Sequence, residues 1–170
     1  MLLAMLVAGL AGSAPVMAAP LPATQHQYQL MRAGGQGPFT LKMVEAPVPQ
    51  PGAHQVLIKV HATSLNRHDI FVWHGQFPVG TRQSLVPVSD GAGEVVAKGA
   101  AVTRFHVGDR VAGIFFQNWI SGQAPANSGQ SVLGSSLDGM LSQYVALEES
   151  GVVKIPATLS YEEADRKSVV

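Results

Sequence analysis

Alternation of apolar and polar side chains is clearest in the segment QVLIKVHATS, residues 55–64. A period of two over ten residues predicts a half-buried β-strand. Shorter runs of the same kind predict further strands at Leu41–Val44, Gly93–Ala97, Arg110–Ile114, Met140–Leu147 and Val152–Ile155. Glycine and proline separate these runs, with turns expected at Gly99, at Gly108-Asp109 and at the Pro47, Pro49 and Pro51 cluster.

Helical patterns are short. Asn66 is placed to cap a helical turn that runs through Trp73 and ends at Gly75. A capping box, Ser160 to Glu163, opens a second helix. The Gly/Ser/Asn-rich residues 117–139 predict a long loop, of a length that is usually functional or mobile. The chain is therefore expected to be mostly β with short helices, in a barrel-like domain.

Composition narrows the classes of function. The 170 residues carry 11 basic and 11 acidic side chains, so the formal charge is zero. A neutral chain gives no electrostatic reason to bind nucleic acid or an anionic membrane surface. The sequence contains no cysteine, which excludes disulfides and thiolate metal ligands.

The first 19 residues resemble a signal peptide. An apolar run at residues 2–10 is too short to span a bilayer, and small residues precede Ala19-Pro20. We therefore expect export to the periplasm or medium, with no membrane attachment after cleavage. The segment lacks Lys and Arg, so a mistranslated extension on a cytoplasmic protein is the alternative. Residues 20–27 are expected to be a polar spacer before a domain that begins near Tyr28.

Four segments occur in an order and spacing that is specific when taken together. They read PVPQPGAHQVLIKVHATSLNRHD, LVPVSDGAGEVVAKGAAVTRFHVGDRVAG, LDGMLSQYVAL and VVKIPATLSYEEA. With them, residues 28–164 resemble the GroES-like domain of the medium-chain dehydrogenase/reductase family. The residues FFQNWISGQ and GSSLDG are similar to its quinone-oxidoreductase-like, NAD(P)-dependent alcohol dehydrogenase branch. The resemblance implies a GroES-like, partly open β-barrel.

The resemblance also implies a zinc-free site. Zinc-binding relatives hold the metal through a Cys at the position of Asn66 and a His-Glu pair at Ser89-Asp90. Amide and hydroxyl groups are poor zinc ligands, so no zinc is expected. Asn66 would then stabilise an oxyanion or contact the nicotinamide, or simply cap the helix. The expected catalytic set is Asn66, Asp69 and Asp90, with Asn66 and Arg67 binding cofactor.

Structural interpretations stay open for each of these residues. Asp69 would support the helical turn, and Asp90 would orient groups in a cleft, pair with Arg67 or cap a turn. Arg67 would contact a cofactor phosphate or point into solvent. His68 and His74 are poorly spaced for a shared metal ion. Several aromatic residues would line an apolar cleft or belong to the core: Phe71, Trp73, Phe115, Phe116 and Trp119.

The function implied by the resemblance is hydride transfer between NAD(P)H and a small carbonyl, enone, quinone or alcohol. In this family a Rossmann domain follows and supplies most of the cofactor site, and the complete protein is a possible homodimer. Residues 165–170 depart abruptly from the family pattern. One encoding of them matches a sequencing adapter, so we expect an artefactual truncation. The alternative is a stand-alone exported binding module without redox activity.

Overall fold

The computed structural model describes residues 20–32, 39–77 and 82–165, and the segments expected to be a signal peptide and an adapter-derived tail fall largely outside these residues. The strands are β1 (Thr24–Arg32), β2 (Phe39–Pro47), β3 (Gln55–Ser64), β4 (Ser84–Leu85), β5 (Asp90–Lys98), β6 (Arg110–Gly113), β7 (Tyr144–Glu148) and β8 (Val152–Lys154). The α-helices are α1 (Arg67–Trp73) and α2 (Tyr161–Ala164). The predicted class, mostly β with short helices, is confirmed.

Two antiparallel sheets organise the described residues. The larger sheet has the order β7-β3-β5-β6-β8, and the smaller has the order β2-β1-β4. The register between β3 and β5 shifts twice, between Leu57 and Ile58 and between Val60 and Ala62. Such irregularities bend and twist a strand, so the larger sheet curves around its apolar face. The largest core cluster lies on that face and includes Val56, Ile58, Phe105 and Met140.

Strand β1 begins inside the segment that was expected to be a polar spacer. It pairs with β2 over its full length, from Thr24 opposite Pro47 to Arg32 opposite Phe39. The side chain of Gln25 is buried, and its Oε1 accepts hydrogen bonds from Ser142 Oγ at 2.8 Å and Tyr144 N at 2.7 Å. These partners lie more than 110 residues away in sequence, so the polar composition of the segment concealed the strand.

The long connection between β6 and β7 has a definite structure. It contains a 3-10 turn at Ser128–Ser131, and Val132 and Leu133 beyond the turn are buried. Arg82 binds its far end, donating to Ser136 O at 3.0 Å and to Asp138 Oδ1 at 2.8 Å. The strand predicted from Met140 begins only at Tyr144.

None of the helices in the described ranges has the length and apolar character that crossing a membrane requires.

Candidate functional site

Three of the predicted site residues meet where β3 ends and where α1 and β5 begin. Ser64, the last residue of β3, lies opposite Asp90, the first residue of β5. Asn66 follows two residues later and is the N-cap of α1. The sheet pairing therefore brings the Asn66 turn against the segment that carries Ser89 and Asp90.

The side chain of Asn66 is held by hydrogen bonds on both of its polar atoms. Its Oδ1 accepts from His68 N at 2.7 Å. Its Nδ2 donates to Ser89 Oγ at 2.9 Å and to Asp90 Oδ2 at 3.3 Å. Because both amide hydrogens have acceptors, Asn66 would have to give up one of these bonds in order to bind an oxyanion.

Asp90 is the first residue of strand β5, and its side chain takes part in the contacts of the Asn66 turn. Its side chain is buried together with that of Ser89, and Ser89 Oγ donates to Asp90 Oδ1 at 3.2 Å. The second carboxylate oxygen accepts from Asn66. Asp90 therefore helps to hold the Asn66 turn against β5.

Asp69 completes the cap of α1. Its Oδ2 accepts a hydrogen bond from Asn66 N at 2.8 Å, and this bond forms a capping box with the Asn66 side chain. The Asp69 side chain is buried. These contacts match the supporting role that the sequence suggested and do not bring a carboxylate to the surface for chemistry.

The residue before Ser89 has an unusual backbone conformation. Val88 has φ of 74°, in the left-handed region that a β-branched residue rarely adopts. The residues just before β7 contact this turn, and Val88 O accepts a hydrogen bond from Met140 N at 2.7 Å. A side chain on Gly139 would clash with that same carbonyl oxygen. Strained backbone of this kind is concentrated at functional sites, and here it directs Ser89 and Asp90 towards Asn66.

His68 is a site residue whose role the sequence analysis missed. Its ring makes edge-on contacts with Phe77 and Phe115, with centroid distances of 4.4 and 5.1 Å. The Asp69 carboxylate lies nearby, with 3.8 Å between His68 Nδ1 and Asp69 Oδ1. Neither ring nitrogen has a hydrogen-bond partner. Its place two residues after the N-cap was the available signal, but spacing alone could not show this aromatic environment.

Two predicted groups lie towards solvent. Arg67 is exposed at the start of α1, with its guanidinium carbon 5.2 Å from the centre of the Phe71 ring. Trp73 and Ile70 on the same helix are 44% and 55% exposed. An exposed guanidinium can bind a phosphate group through two parallel hydrogen bonds, and apolar side chains lie on the same helix.

Two of the three side chains at the Asn66 turn, the Asn66 amide and the Ser89 hydroxyl, belong to classes that are poor zinc ligands. No group of three or more His, Cys, Asp or Glu side chains is arranged for a metal ion within the described ranges. Asn66, Ser89 and Asp90 offer one amide, one hydroxyl and one carboxylate, and they bond to one another. Structural and catalytic zinc sites are built from thiolate, imidazole and carboxylate donors.

Comparison with known protein families identifies the family to which this domain belongs. Residues 52–157 match the family model described as the alcohol dehydrogenase GroES-like domain. The chain belongs to this family. The match begins before β3 and ends between β8 and α2, so it includes the whole larger sheet and the Asn66 turn. The GroES-like fold expected from the sequence is thereby confirmed.

Proteins similar to this GroES-like domain include some named as alcohol dehydrogenases and some named as quinone oxidoreductases. A zinc-type alcohol dehydrogenase-like protein of Schizosaccharomyces pombe is 38% identical over 126 residues, 72% of this chain and 36% of that protein. The structure of a putative alcohol dehydrogenase from Sinorhizobium meliloti 1021 has a TM-score of 0.78 at 33% identity, covering 86% of this chain and 43% of that one. A quinone oxidoreductase from Coxiella burnetii has a TM-score of 0.65 at 25% identity, covering 84% of this chain and 40% of that one. The chain thus spans about two fifths of these proteins.

Proposed function

We propose that this chain is the substrate-side domain of a zinc-independent, NAD(P)H-dependent oxidoreductase that acts on a small carbonyl, enone, quinone or alcohol. Membership of the alcohol dehydrogenase GroES-like domain family supports the redox class. Because the chain spans about two fifths of its relatives, the activity is proposed for a protein in which this domain is joined to a nicotinamide-binding domain.

One observation carries the zinc-free assignment. Asn66 Nδ2 lies 2.9 Å from Ser89 Oγ and 3.3 Å from Asp90 Oδ2, so these side chains satisfy one another. The fission yeast relative is named a zinc-type protein. The donor set of this chain differs from what such a metal needs, because only Asp90 provides a good zinc ligand.

The residues of this chain would then bind the cofactor and position the turn at the start of α1. A bound reduced nicotinamide would supply a hydride to a carbonyl, enone or quinone, and the oxidised form would accept a hydride from an alcohol. We assign to Arg67 the contact with a phosphate of that cofactor, and its exposed charge at the start of α1 supports this role. Asn66, Ser89 and Asp90 fix the turn that positions Arg67 and His68 relative to β5.

The test uses the domain joined to a nicotinamide-binding domain, either in the complete gene or in a fusion. The fusion partner is the part of the Rhizobium meliloti alcohol dehydrogenase that lies outside the match, since this chain is 35% identical to it over 128 residues, 38% of its length. Oxidation of NADPH and NADH is followed with aldehydes, cyclic enones and quinones. We expect turnover that a chelator leaves unchanged, and less than one tenth of an equivalent of zinc by elemental analysis. Chelator-sensitive turnover with stoichiometric zinc would contradict the zinc-free assignment.

A matched pair of arginine variants tests the cofactor contact. R67A should raise KM for the cofactor by about tenfold or more, the value of a lost charge-assisted hydrogen bond, with a smaller change in kcat. R104A is the control, because Arg104 is also exposed and its Nη1 bonds to Glu149 O, away from the Asn66 turn. Equal effects of the two substitutions on the cofactor KM would show that Arg67 does not contact the cofactor.

A further inference from the structure

Strand β7 forms one edge of the larger sheet. It pairs with β3 over its full length, and no strand in the described part of the chain pairs with its other side. A groove of about 430 Å³ lies along that second side, and its lining includes every residue of β7 as well as Ala46, Pro47 and Pro49. The edge of β7 is therefore accessible to another extended chain.

The register shows which backbone groups of β7 face this groove. Gln143 O, just before the strand, accepts from Val60 N, and Glu149 N, just after it, donates to His54 O, both at 2.9 Å. Because bonding alternates along an antiparallel ladder, the odd-numbered residues of β7 bond to β3. The N–H and C=O groups of its even-numbered residues point away from β3.

One of these even-numbered residues is already paired within the domain. Tyr144 N donates to Gln25 Oε1 at 2.7 Å, and Tyr144 O accepts from Ser142 Oγ at 3.1 Å. The backbone groups of Ala146 and Glu148 have no hydrogen-bond partner among the described residues. Two donors and two acceptors therefore remain for a partner strand.

The remaining sheet edges in the described structure are protected against such pairing. Strand β2 exposes Lys42, Glu45 and Pro47, and β4 and β8 have only two and three residues. Charged side chains, proline and short length are the features that keep natural edge strands apart. Strand β7 has five residues, no proline and a single charge, Glu148, at its end. Among the described strands, it is the edge best suited to pairing.

A second copy of this chain matches the free groups of β7. When two β7 strands run antiparallel with Leu147 opposite Leu147, Ala146 of each copy lies opposite Glu148 of the other. Both are hydrogen-bonded pairs, and their four bonds use every free group of the two strands. Each Glu148 then faces an alanine, so no two carboxylates are directly opposed. The formal charge of zero adds no net repulsion between copies.

We propose that two copies of the 170-residue chain associate through β7, about a two-fold axis at Leu147, and join their larger sheets into one continuous sheet. The same surface is used by both copies, so the assembly closes at the dimer and does not extend into a fibre. The inference concerns a surface of this domain and does not depend on the proposed redox function.

Sedimentation velocity of the 170-residue chain measures the association. We expect a monomer–dimer equilibrium with a Kd on the order of 0.1 mM, because a small contact area gives a weak dimer. Hydrogen exchange at the Ala146 and Glu148 amides should slow as the concentration rises, because these N–H groups are bonded only in the dimer. A monomer in which both amides are already protected would overturn the proposal, because another segment of the chain would then occupy the edge.

Cysteine cross-linking tests the register. The chain contains no cysteine, so A146C and E148C each introduce a single thiol. The two positions are expected to lie opposite each other at about 5.5 Å between Cα atoms, within the range of a disulfide. Like positions are about 8 Å apart, so a mixture of the two variants should oxidise to the heterodimer about tenfold faster than either variant forms a homodimer. Mass spectrometry distinguishes the products.

A mixture of T40C and E45C is the matched control, because Thr40 and Glu45 are exposed on β2, the other long edge. This mixture should cross-link only at the slow rate of chance collision. A146P removes an N–H that the described fold does not use and should raise the dimer Kd about tenfold or more. A146V keeps that N–H and should associate like the unmodified chain.

Three results would each overturn the proposal. The first is a chain that stays monomeric up to about 1 mM. The second is cross-linking in which the mixture of A146C and E148C is not favoured, as association through another surface would give. The third is an A146P variant that folds and associates as strongly as A146V. If A146P does not fold, the cross-linking decides alone.

Discussion

Asn66 and Ser89 are joined by a hydrogen bond of 2.9 Å, from the amide Nδ2 to the hydroxyl Oγ, across 23 residues of sequence. The bond ties the N-cap of α1 to the segment that enters β5. In zinc-binding relatives these two positions are implied to hold ligands of one metal ion. Here the side chains at these two positions are hydrogen-bonded to each other.

The first prediction concerns the two roles of Asn66, which caps α1 and donates hydrogen bonds to Ser89 and Asp90. N66A should lower the free energy of unfolding by about 1–3 kcal/mol, because the cap is lost and Ser89 and Asp90 lose a buried donor. N66S keeps an oxygen that can cap α1 but is too short to reach β5, so it should cost less. Urea denaturation followed by circular dichroism measures both. Equal losses would mean that the cap contributes nothing to stability.

The second prediction concerns the strained Val88 turn. G139A should destabilise the chain by about 3 kcal/mol or more, because the new methyl would clash with Val88 O and would lie 2.6 Å from Pro87 O. Urea denaturation followed by circular dichroism measures the loss. The NMR signals of the Asn66 side-chain amide should also shift, because Ser89 moves.

A matched glycine provides the control for this effect. Gly129 lies in the 3-10 turn, and a methyl there would meet nothing within 4 Å. G129A should therefore change stability by no more than about 0.5 kcal/mol. If G139A were tolerated as well as G129A, the close approach of Gly139 to Val88 O would not be required for the fold.

The third prediction concerns the long connection before β7. Arg82 donates to Ser136 O and Asp138 Oδ1, and Asp138 Oδ1 also accepts from Val86 N at 3.0 Å. R82M should remove this link, so the backbone amides of residues 128–138 should exchange with deuterium several-fold faster. R104M is the comparison. Unchanged exchange in R82M would show that apolar burial alone orders the connection.

Local signals in the sequence predicted the elements around the site well. The strand Gln55–Ser64 has the predicted limits, and both predicted caps are present, Asn66 on α1 and Ser160 on α2. Each of these depends on alternation or on side chains within three residues, which a single sequence displays directly.

Contacts between distant segments were not predictable in the same way. Gln25 in β1 is buried because it meets Ser142 and Tyr144. The bond between Asn66 and Ser89 depends on the register of β3 and β5. The family resemblance identified both positions, yet it gave no indication that their side chains would bond to each other and occupy the amide. Such pairings require the sheet topology, which composition and periodicity leave open.

The last prediction concerns acid stability and the turn before β6. A hydrogen bond from His106 N at 2.8 Å and an ion pair with Lys154 Nζ at 2.9 Å lower the pKa of Asp109 below its ordinary 3.8. A carboxyl with a lowered folded-state pKa adds stability that is fully present above the ordinary value and is lost as the pH falls through the lowered one. The urea midpoint should therefore decrease from pH 6 towards pH 3, and D109N should flatten that decrease while lowering the midpoint at pH 6. K154M should have a smaller effect of the same sign, because the backbone hydrogen bond remains. Parallel pH profiles for D109N and the unmodified chain would show that other carboxylates dominate the acid response.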